Sequence, residues 1–203
     1  RDSVAEPNVV LNTIVAEAFS EACDVLEKAE DFDLAVHDLI KKYASEHQRI
    51  VFNGNGYSEE WVEEAARRGL PNIRTMVEAI PVLTEEKTIE LFEKFKVFTR
   101  AELESRAEIQ YETYSKAINI EARSMIDIAS KHIIPAVLQY TTALATSINQ
   151  IREACTEANI SVQIELLKEC SSLLAATKAA LKELTEVTET AAAKPEGRER
   201  AVY

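Results

Sequence analysis

Three histidines, His37, His47 and His132, are the residues of this sequence best suited to bind a metal ion. His37 and His47 are ten residues apart, which is nearly three helical turns, so one helix cannot bring both to the same ion. His132 falls on an apolar stripe, where a packed histidine with satisfied nitrogens is expected. The Glu-x-x-His motif of di-iron bundles is also absent. The spacing therefore predicts no metal site.

Nucleophilic and acid–base catalysis have few candidate residues either. The three cysteines, Cys23, Cys155 and Cys170, are unclustered, which is typical of free thiols in a reducing compartment. Cys155 and Cys170 lie on apolar stripes and are interpreted as small buried side chains. Glu121 is a carboxylate on a stripe predicted to face another helix. It is interpreted as a hydrogen-bond partner of Asn119 or of a tyrosine, with a catalytic acid as the alternative. We predict no catalytic residue.

The most distinctive local pattern is a loop with two Asn-Gly pairs, formed by Asn53, Gly54, Asn55, Gly56 and Tyr57. Such pairs favour tight turns, so a positive φ is expected somewhere in this loop. A phosphate-binding loop needs a lysine at a fixed distance. Here the next helix instead opens with Glu59 and Glu60, which would repel phosphate. We interpret the stretch as a structural turn or docking loop, and Trp61 as part of the buried face of that helix.

Composition narrows the class of protein. The chain has 203 residues, of which 46% are apolar, and only 4 glycines and 5 prolines. These values favour a folded, helical protein over a turn-rich β-sandwich or a disordered chain. The net charge of −12 argues against binding to nucleic acid or to an anionic membrane surface. The sequence has no run of 18 apolar residues, so no membrane-spanning helix is predicted.

Short helices are predicted in the first half of the chain. One begins near Pro7 and runs to about Lys28, and a second follows the acidic cluster at residues 30–33. Ser58 is expected to cap a third helix that ends before Gly69, which is placed at the position after the C-cap.

Longer helices are predicted in the second half. Residues 72–83 are expected to be a connector with at most one helical turn, and Thr84 to start the next helix. Thr99 and Glu102 form a capping box that opens the longest helix, which Pro135 is expected to kink rather than end. Asn159 or Ser161 is expected to cap a return helix.

Heptad spacing predicts how these long helices pack against each other. The seam of the first is predicted at Ala107, Tyr111, Tyr114, Ile118, Glu121, Met125, Ile128 and His132, then at Val137, Thr141, Leu144, Ile148, Ile151 and Cys155. The seam of the return helix is predicted at Leu166, Cys170, Leu173, Thr177, Leu181, Leu184 and Val187. The predicted fold is all-α: an up-and-down antiparallel helical bundle with a long helical hairpin, preceded by shorter helices and loops.

Several stretches resemble the C-terminal region of type III glutamine synthetase, the large bacterial form. The residues that carry this resemblance are 3–13, 50–61, 68–72, 93–99, 102–106 and 114–122. The resemblance divides the chain into three segments. Residues 1–28 resemble a helix continuing from the catalytic domain, 29–98 form the linking region with the Asn-Gly loop, and 99–203 form the long hairpin of a C-terminal bundle.

The resemblance implies a parent enzyme that joins ammonia to glutamate through γ-glutamyl phosphate, using ATP and Mg²⁺ in the cytoplasm. It implies that the metal, glutamate and nucleotide sites lie upstream of Arg1, so no catalytic, cofactor-binding or metal-binding residue transfers to this chain. The partners would be the catalytic domain of the same polypeptide and neighbouring subunits of a homo-oligomer. The candidate docking and structural residues are Asn53, Gly54, Asn55, Gly56, Tyr57, Trp61, Asn119 and Glu121.

Two further expectations concern the N-terminal and C-terminal ends of the chain. The chain begins with Arg1 rather than with an initiator Met, and no hydrophobic signal core follows. Both features are expected of a segment from within a longer polypeptide. The resemblance implies a further helix after Tyr203, so this segment alone is expected to be inactive and inclined to self-associate. The alternative interpretation is a free-standing helical interaction module, such as an adaptor or sensor bundle.

Overall fold

The computed structural model describes residues 3–203, so the first two residues of the predicted segment 1–28 lie outside it. The described chain is helical and contains no β-strand, which confirms the predicted all-α bundle. It divides into two units, one ending at Ala107 and one from Glu108 to Tyr203.

In the described part of the first unit, five α-helices precede the long one. They are α1 (Ala5–Leu26), α2 (Phe32–Glu46), α3 (Glu59–Arg67), α4 (Met76–Ala79) and α5 (Glu86–Lys94). A 3₁₀ turn at Ile80–Thr84 follows α4 directly, so the 72–83 connector is more helical than the single turn we predicted. The next helix also starts two residues later than predicted, because Thr84 belongs to that turn and Glu85 is the N-cap of α5.

The core of the first unit lies where α1 and α5 meet the start of the long helix. Ile89, Phe92 and Leu103 are each only 1% exposed, and Val9, Val10 and Phe98 pack around them. An ion pair between Lys94 Nζ and Glu17 Oε2, 2.6 Å long, joins α5 to α1 at the surface. These contacts orient the first turn of the long helix, because Leu103 lies within it.

Helices α3 and α5 end in the same backbone arrangement with different residues. After α3, Gly69 has φ of +70° and the Leu70 N–H donates to the Ala65 carbonyl at 2.9 Å, as predicted for a glycine after the C-cap. After α5, the left-handed position is held by Lys96, with φ of 53°. A lysine gave no signal in the sequence for this turn, because left-handed backbone usually selects glycine or asparagine.

The long helix of the chain is continuous through Pro135. It consists of α6 (Arg100–Ile128), a π-helical segment (Ala129–Ile133) and α7 (Ile134–Ala154). The predicted capping box opens it: the Thr99 N–H donates to Glu102 Oε2 at 2.8 Å, and the Glu102 N–H donates to Thr99 Oγ1 at 3.4 Å. The prediction that Pro135 does not end the helix is confirmed.

The π segment changes which residues of the long helix face its neighbour. Below it, the predicted seam from Val137 to Ile151 is at least half-buried, whereas Cys155 is exposed because the helix ends at Ala154. Above it, the predicted seam from Ile118 to His132 is wrong: those positions are exposed, and the inward residues are Ser115, Asn119, Ala122, Ile126 and Ala129. Ala129 and Val137 are eight residues apart, one heptad plus the extra residue of a π turn.

Helix α8 (Ser161–Ala192) returns along α7 after a short connection. Ile160 is its N-cap, and the Asn159 carboxamide accepts from the Ser161 N–H at 3.0 Å. Leu166, Cys170, Leu181 and Leu184 face inward as predicted. Leu173, Thr177 and Val187 were predicted to face inward but are exposed. Leu174 faces inward in place of Leu173, and Thr188 in place of Val187.

The end of α8 returns to the beginning of the second unit's long helix, so the hairpin is antiparallel. Arg200, in α9 (Arg198–Val202), donates to the Lys194 carbonyl at 2.6 Å and to the Ala192 carbonyl at 3.2 Å, closing the turn after α8. Gly197 has φ of +84°, and a Cβ there would lie 2.8 Å from Glu108 Oε2. The positive φ is the reason for glycine at this position, because the Glu108 carboxylate is the end of a flexible side chain that can move aside.

Candidate functional site

The Asn-Gly loop is held in shape by Asn55. Its side-chain oxygen accepts from the Tyr57 N–H at 3.1 Å, and its carbonyl accepts from Ser58 Oγ at 2.9 Å. Ser58 occupies the predicted N-cap position of α3, but its hydroxyl donates back to the loop rather than capping the helix. The loop therefore depends on an Asx turn more than on its glycines.

The glycines of this loop do not adopt the positive φ that we predicted. Within residues 3–203, positive φ occurs only at Lys96, Gly69 and Gly197. Gly54 is needed for another reason: a Cβ there would lie 2.6 Å from Cζ of the Phe52 ring, closer than real contacts allow. Gly56 has nothing within 4 Å of that position.

An aromatic clamp joins the segment before the loop to helix α3, and we define it as Phe52, Trp61 and Arg68. The rings of Phe52 and Trp61 stack with centroids 4.4 Å apart and 28° between their planes. The Arg68 guanidinium lies 5.7 Å from the centroid of the Trp61 ring. It also donates to the Val51 carbonyl at 2.7 Å and pairs with Glu64.

Sequence reasoning missed this clamp. Trp61 and Ala65 were correctly placed on the inward face of α3, since Ala65 is buried and Trp61 half-buried. Arg68, in contrast, has no predicted role beyond the favourable charge that an arginine carries at the C-terminal end of a helix. The available signal in the sequence was an arginine seven residues, or about two helical turns, after the single tryptophan, because guanidinium groups stack on aromatic rings.

The surface that the clamp supports is polar, acidic and aromatic. Tyr57 is fully exposed, at 101% of its reference area, and Asn53 is exposed beside it. Glu59 and Glu60 lie in the first turn of α3, and Arg74 Nη2 is 3.9 Å from Glu59 Oε2. An exposed tyrosine on a braced loop can bury its ring and hydrogen-bond to a partner. The arrangement fits docking and shows no paired nucleophile and base.

Asn119 and Glu121 do not form the pair proposed from the sequence. Asn119 is half-buried, and its Oδ1 accepts from Arg123 Nε at 3.1 Å. Glu121 is exposed and has no hydrogen-bond or ion-pair partner within residues 3–203. Its expected position on the buried seam was wrong because the π turn rotates this face away from α8.

The second unit also contains an open groove of about 750 Å³, between Ser130 of the π segment and one face of α8. Ala175, Ala179 and Leu181 supply its apolar wall, and Lys178 and Lys182 lie at its edge. Lys182 Nζ is 3.6 Å from Glu186 Oε1, so one edge lysine is already paired. The groove brings together no combination of residues typical of catalysis.

The side chains whose pKa values are shifted lie at helix ends and in surface ion pairs rather than in the 53–57 loop. Hydrogen bonds from the Thr99 backbone and hydroxyl lower the pKa of Glu102. The hydrogen bond and charge of Arg100 lower the pKa of Glu86, whose Oε1 lies 2.6 Å from Arg100 Nη2. The lowered pKa values mean that both carboxylates are stabilised in their charged form. Neither group is tuned to exchange a proton as a general acid or base.

Among the described residues, no three His, Cys, Asp or Glu side chains are grouped closely enough to hold a metal ion. None of the helices found in residues 3–203 is sufficiently long and apolar to traverse a bilayer.

Together, the fold and this site define an all-α helical domain with a braced, exposed loop before helix α3. A family model described as the glutamine synthetase C-terminal domain matches residues 35–152. The chain belongs to this family, and the resemblance inferred from its motifs is confirmed.

The chain is similar to three curated proteins that carry the same family name. It is 35% identical over 168 residues to a glutamine synthetase of Butyrivibrio fibrisolvens, covering 83% of this chain and 24% of that protein. It is 40% identical over 148 residues to the type-3 glutamine synthetase of Dictyostelium discoideum, covering 71% and 20%. It is 30% identical over 201 residues to a glutamine synthetase of Bacteroides fragilis (strain YCH46), covering 95% and 28%. The chain thus spans about a quarter of the length of these relatives.

Proposed function

We propose that this chain is the structural and oligomerising C-terminal domain of a glutamine synthetase. The parent polypeptide would make glutamine from glutamate, ammonia and ATP through γ-glutamyl phosphate. The observation that carries this proposal is the family match over residues 35–152, together with relatives named glutamine synthetase at 30–40% identity.

Catalysis in this proposal takes place elsewhere in the parent polypeptide. ATP and Mg²⁺ bind there, and this chain supplies no catalytic, cofactor-binding or metal-binding residue. The arrangement of the candidate site supports this division, since its elements are a braced loop and packed helices. The charge that develops on a transferred phosphoryl group is stabilised by a rigid, preorganised active site, and packed helices would provide that rigidity. The parent enzyme would act in the cytoplasm.

The 53–57 loop and helix α3 would dock this domain on the catalytic part of the same polypeptide. The Phe52–Trp61–Arg68 clamp supports this role because it fixes the base of the loop while leaving Tyr57 free. A preorganised loop loses little conformational entropy when a partner covers it. Neighbouring subunits of a homo-oligomer would provide further contacts to the helical hairpin.

Activity of the complete polypeptide tests the proposed parent function. The reading frame that encodes this chain is expected to encode the catalytic part as well, and its product is expected to form glutamine from glutamate and ammonia when ATP and Mg²⁺ are present. An inactive, folded product would contradict the proposal. A reading frame confined to this chain would favour the free-standing interaction module instead.

Substituting Tyr57 tests the docking role separately. Because Tyr57 is fully exposed, Tyr57→Ala is expected to leave the unfolding free energy of this chain within about 0.5 kcal/mol of wild type. In the complete polypeptide, the same change is expected to lower the melting temperature, because a covered aromatic ring is lost. Tyr140→Ala, which removes a half-exposed tyrosine from α7, is the control. Equal melting of the wild-type and Tyr57→Ala polypeptides would contradict docking through the loop.

A further inference from the structure

Four exposed residues form a line along the outer face of the long helix, and we define the outer stripe as Glu121, Met125, Ile128 and His132. Met125 is 60% exposed and Ile128 is 50% exposed. All four lie in the second unit, and all lie on the side that the π segment turns away from the α8 seam. Neighbouring members are three or four residues apart, so they form one continuous strip.

The spacing of the outer stripe is symmetric. Its steps in sequence are four, three and four residues, and the last step enters the π segment at His132. A second copy laid antiparallel across it would place Met125 against Ile128 of the partner and Glu121 against His132 of the partner. Such an arrangement is the self-complementary contact that a two-fold dimer requires.

The charges of the stripe fit this arrangement. Neither Glu121 nor His132 has a hydrogen-bond or ion-pair partner within residues 3–203, whereas Asp127 and Lys131 on the flank already pair with each other. A histidine ring N–H donates well to a carboxylate whether or not the ring is protonated. Two apolar residues flanked by complementary polar ends give a small apolar centre with a polar rim.

The distribution of charge along the chain also favours contact through this unit. Residues 108–203 contain 10 Lys and Arg and 13 Asp and Glu, a net charge of −3 out of the −12 of the whole chain. Repulsion between two copies is therefore concentrated in the first unit and is weak along the hairpin.

We propose that the outer stripe is the docking surface for a second copy of this chain, placed antiparallel across it. The contact pairs Glu121 with His132 of the partner subunit twice, once on each side of the two-fold axis. This inference deepens the proposed oligomerising role and rests on it. It assigns that role to one surface and one geometry.

Charge exchange tests the pairing. In the complete polypeptide, Glu121→Lys places two hydrogen-bond donors opposite each other and His132→Glu places two negative charges opposite each other, and each change occurs twice per dimer. Each single variant is expected to raise the concentration needed for self-association about tenfold, measured by sedimentation velocity over a concentration series. The double variant Glu121→Lys/His132→Glu restores opposite charges in register and is expected to recover wild-type association.

Controls separate a lost contact from a lost fold. Glu153→Lys reverses an exposed charge on the same long helix, away from the stripe, and is expected to leave association unchanged. Circular dichroism of every variant checks that the helices form. The proposal is overturned if either single variant associates like wild type, or if the double variant stays as weak as the singles. Glutamine formation is measured in parallel, so an active polypeptide with unaltered association refutes only the docking surface.

Discussion

At the scale of single residues, Gly54 determines how the 53–57 loop packs. Its hydrogen leaves space for the Phe52 ring, which can then stack on Trp61. The sequence suggested that glycine was needed here for its backbone freedom, and the structure shows that it is needed for the absence of a side chain. Sequence alone does not distinguish these two reasons, because Asn-Gly pairs serve both.

Gly54→Ala is therefore expected to push the Phe52 ring off Trp61. The cost is about 0.5–1.5 kcal/mol, the usual value of an aromatic pair. Trp61 is the only tryptophan of the chain, so its fluorescence reports the change directly. Gly56→Ala is the matched control, because a Cβ there meets nothing within 4 Å. Identical spectra for both variants and wild type would show that the stack does not depend on Gly54.

Glu121 shows a limit of residue-level prediction. Its heptad position indicated a buried carboxylate, but a single extra residue in the π segment rotates the whole upstream face. A glutamate on a predicted apolar seam correctly indicated that the surroundings of this position are irregular. Its surroundings could not be inferred, because they are set by an irregular turn eight residues further along the chain.

At the scale of helices, the capping box at the start of α6 links stability to pH. Hydrogen bonds from the Thr99 backbone and hydroxyl lower the pKa of Glu102 below its ordinary value of 4.5. A carboxyl group whose pKa is lower in the folded state stabilises that state above its unfolded pKa. This contribution is lost as the pH falls through the folded pKa.

Glu102→Gln is thus expected to lose less unfolding free energy than wild type between pH 7 and pH 3. Chemical denaturation at several pH values measures this difference. The control is Glu90→Gln, which removes an exposed carboxylate that has no hydrogen-bond or ion-pair partner within residues 3–203. An acid sensitivity of Glu102→Gln equal to that of wild type would show that the capping box does not contribute.

The π segment explains why the inward-facing seams before and after it differ in phase. From Ala129 to Val137 the seam advances by eight residues, and the wider turn absorbs the extra one. Pro135 lies just beyond this segment, where a regular helix would bring its ring against the carbonyl four residues earlier. The irregular turn therefore keeps the hairpin in register and accommodates the proline.

Deleting Ser130 from a Pro135→Ala variant is expected to give a regular helix with unbroken heptad spacing. Its unfolding free energy should stay within about 1 kcal/mol of the parent variant, because the seam keeps its direction. Deleting Ala143 from α7 instead rotates Leu144, Ile148 and Ile151 away from α8 and is expected to cost more than about 3 kcal/mol. Thermal unfolding monitored by circular dichroism compares the two. Equal losses would contradict a phase-correcting role of the π turn.

At the scale of the whole molecule, local rules predicted the helices well wherever a capping residue marked their ends. Asp31 and Thr99 begin helices as expected, and Gly69 ends one. The seam phase above the π segment, and the Phe52–Trp61–Arg68 clamp, were not predictable in the same way. They depend on a one-residue irregularity and on contacts between residues up to 19 positions apart, which periodicity does not record.

The family relationship supplies what the geometry alone does not, namely the enzyme to which such a domain belongs. The chain covers 20–28% of three relatives named glutamine synthetase. Our central proposal is that this chain provides architecture to a parent enzyme and takes no part in nucleotide binding.

Calorimetric titration with ATP and Mg²⁺ tests this proposal most directly. The same solution is titrated into this 203-residue chain and into the complete polypeptide. We expect saturable heat from the complete polypeptide and only heat of dilution from the chain. Saturable ATP binding by the chain alone would contradict the division between a catalytic part and a structural domain.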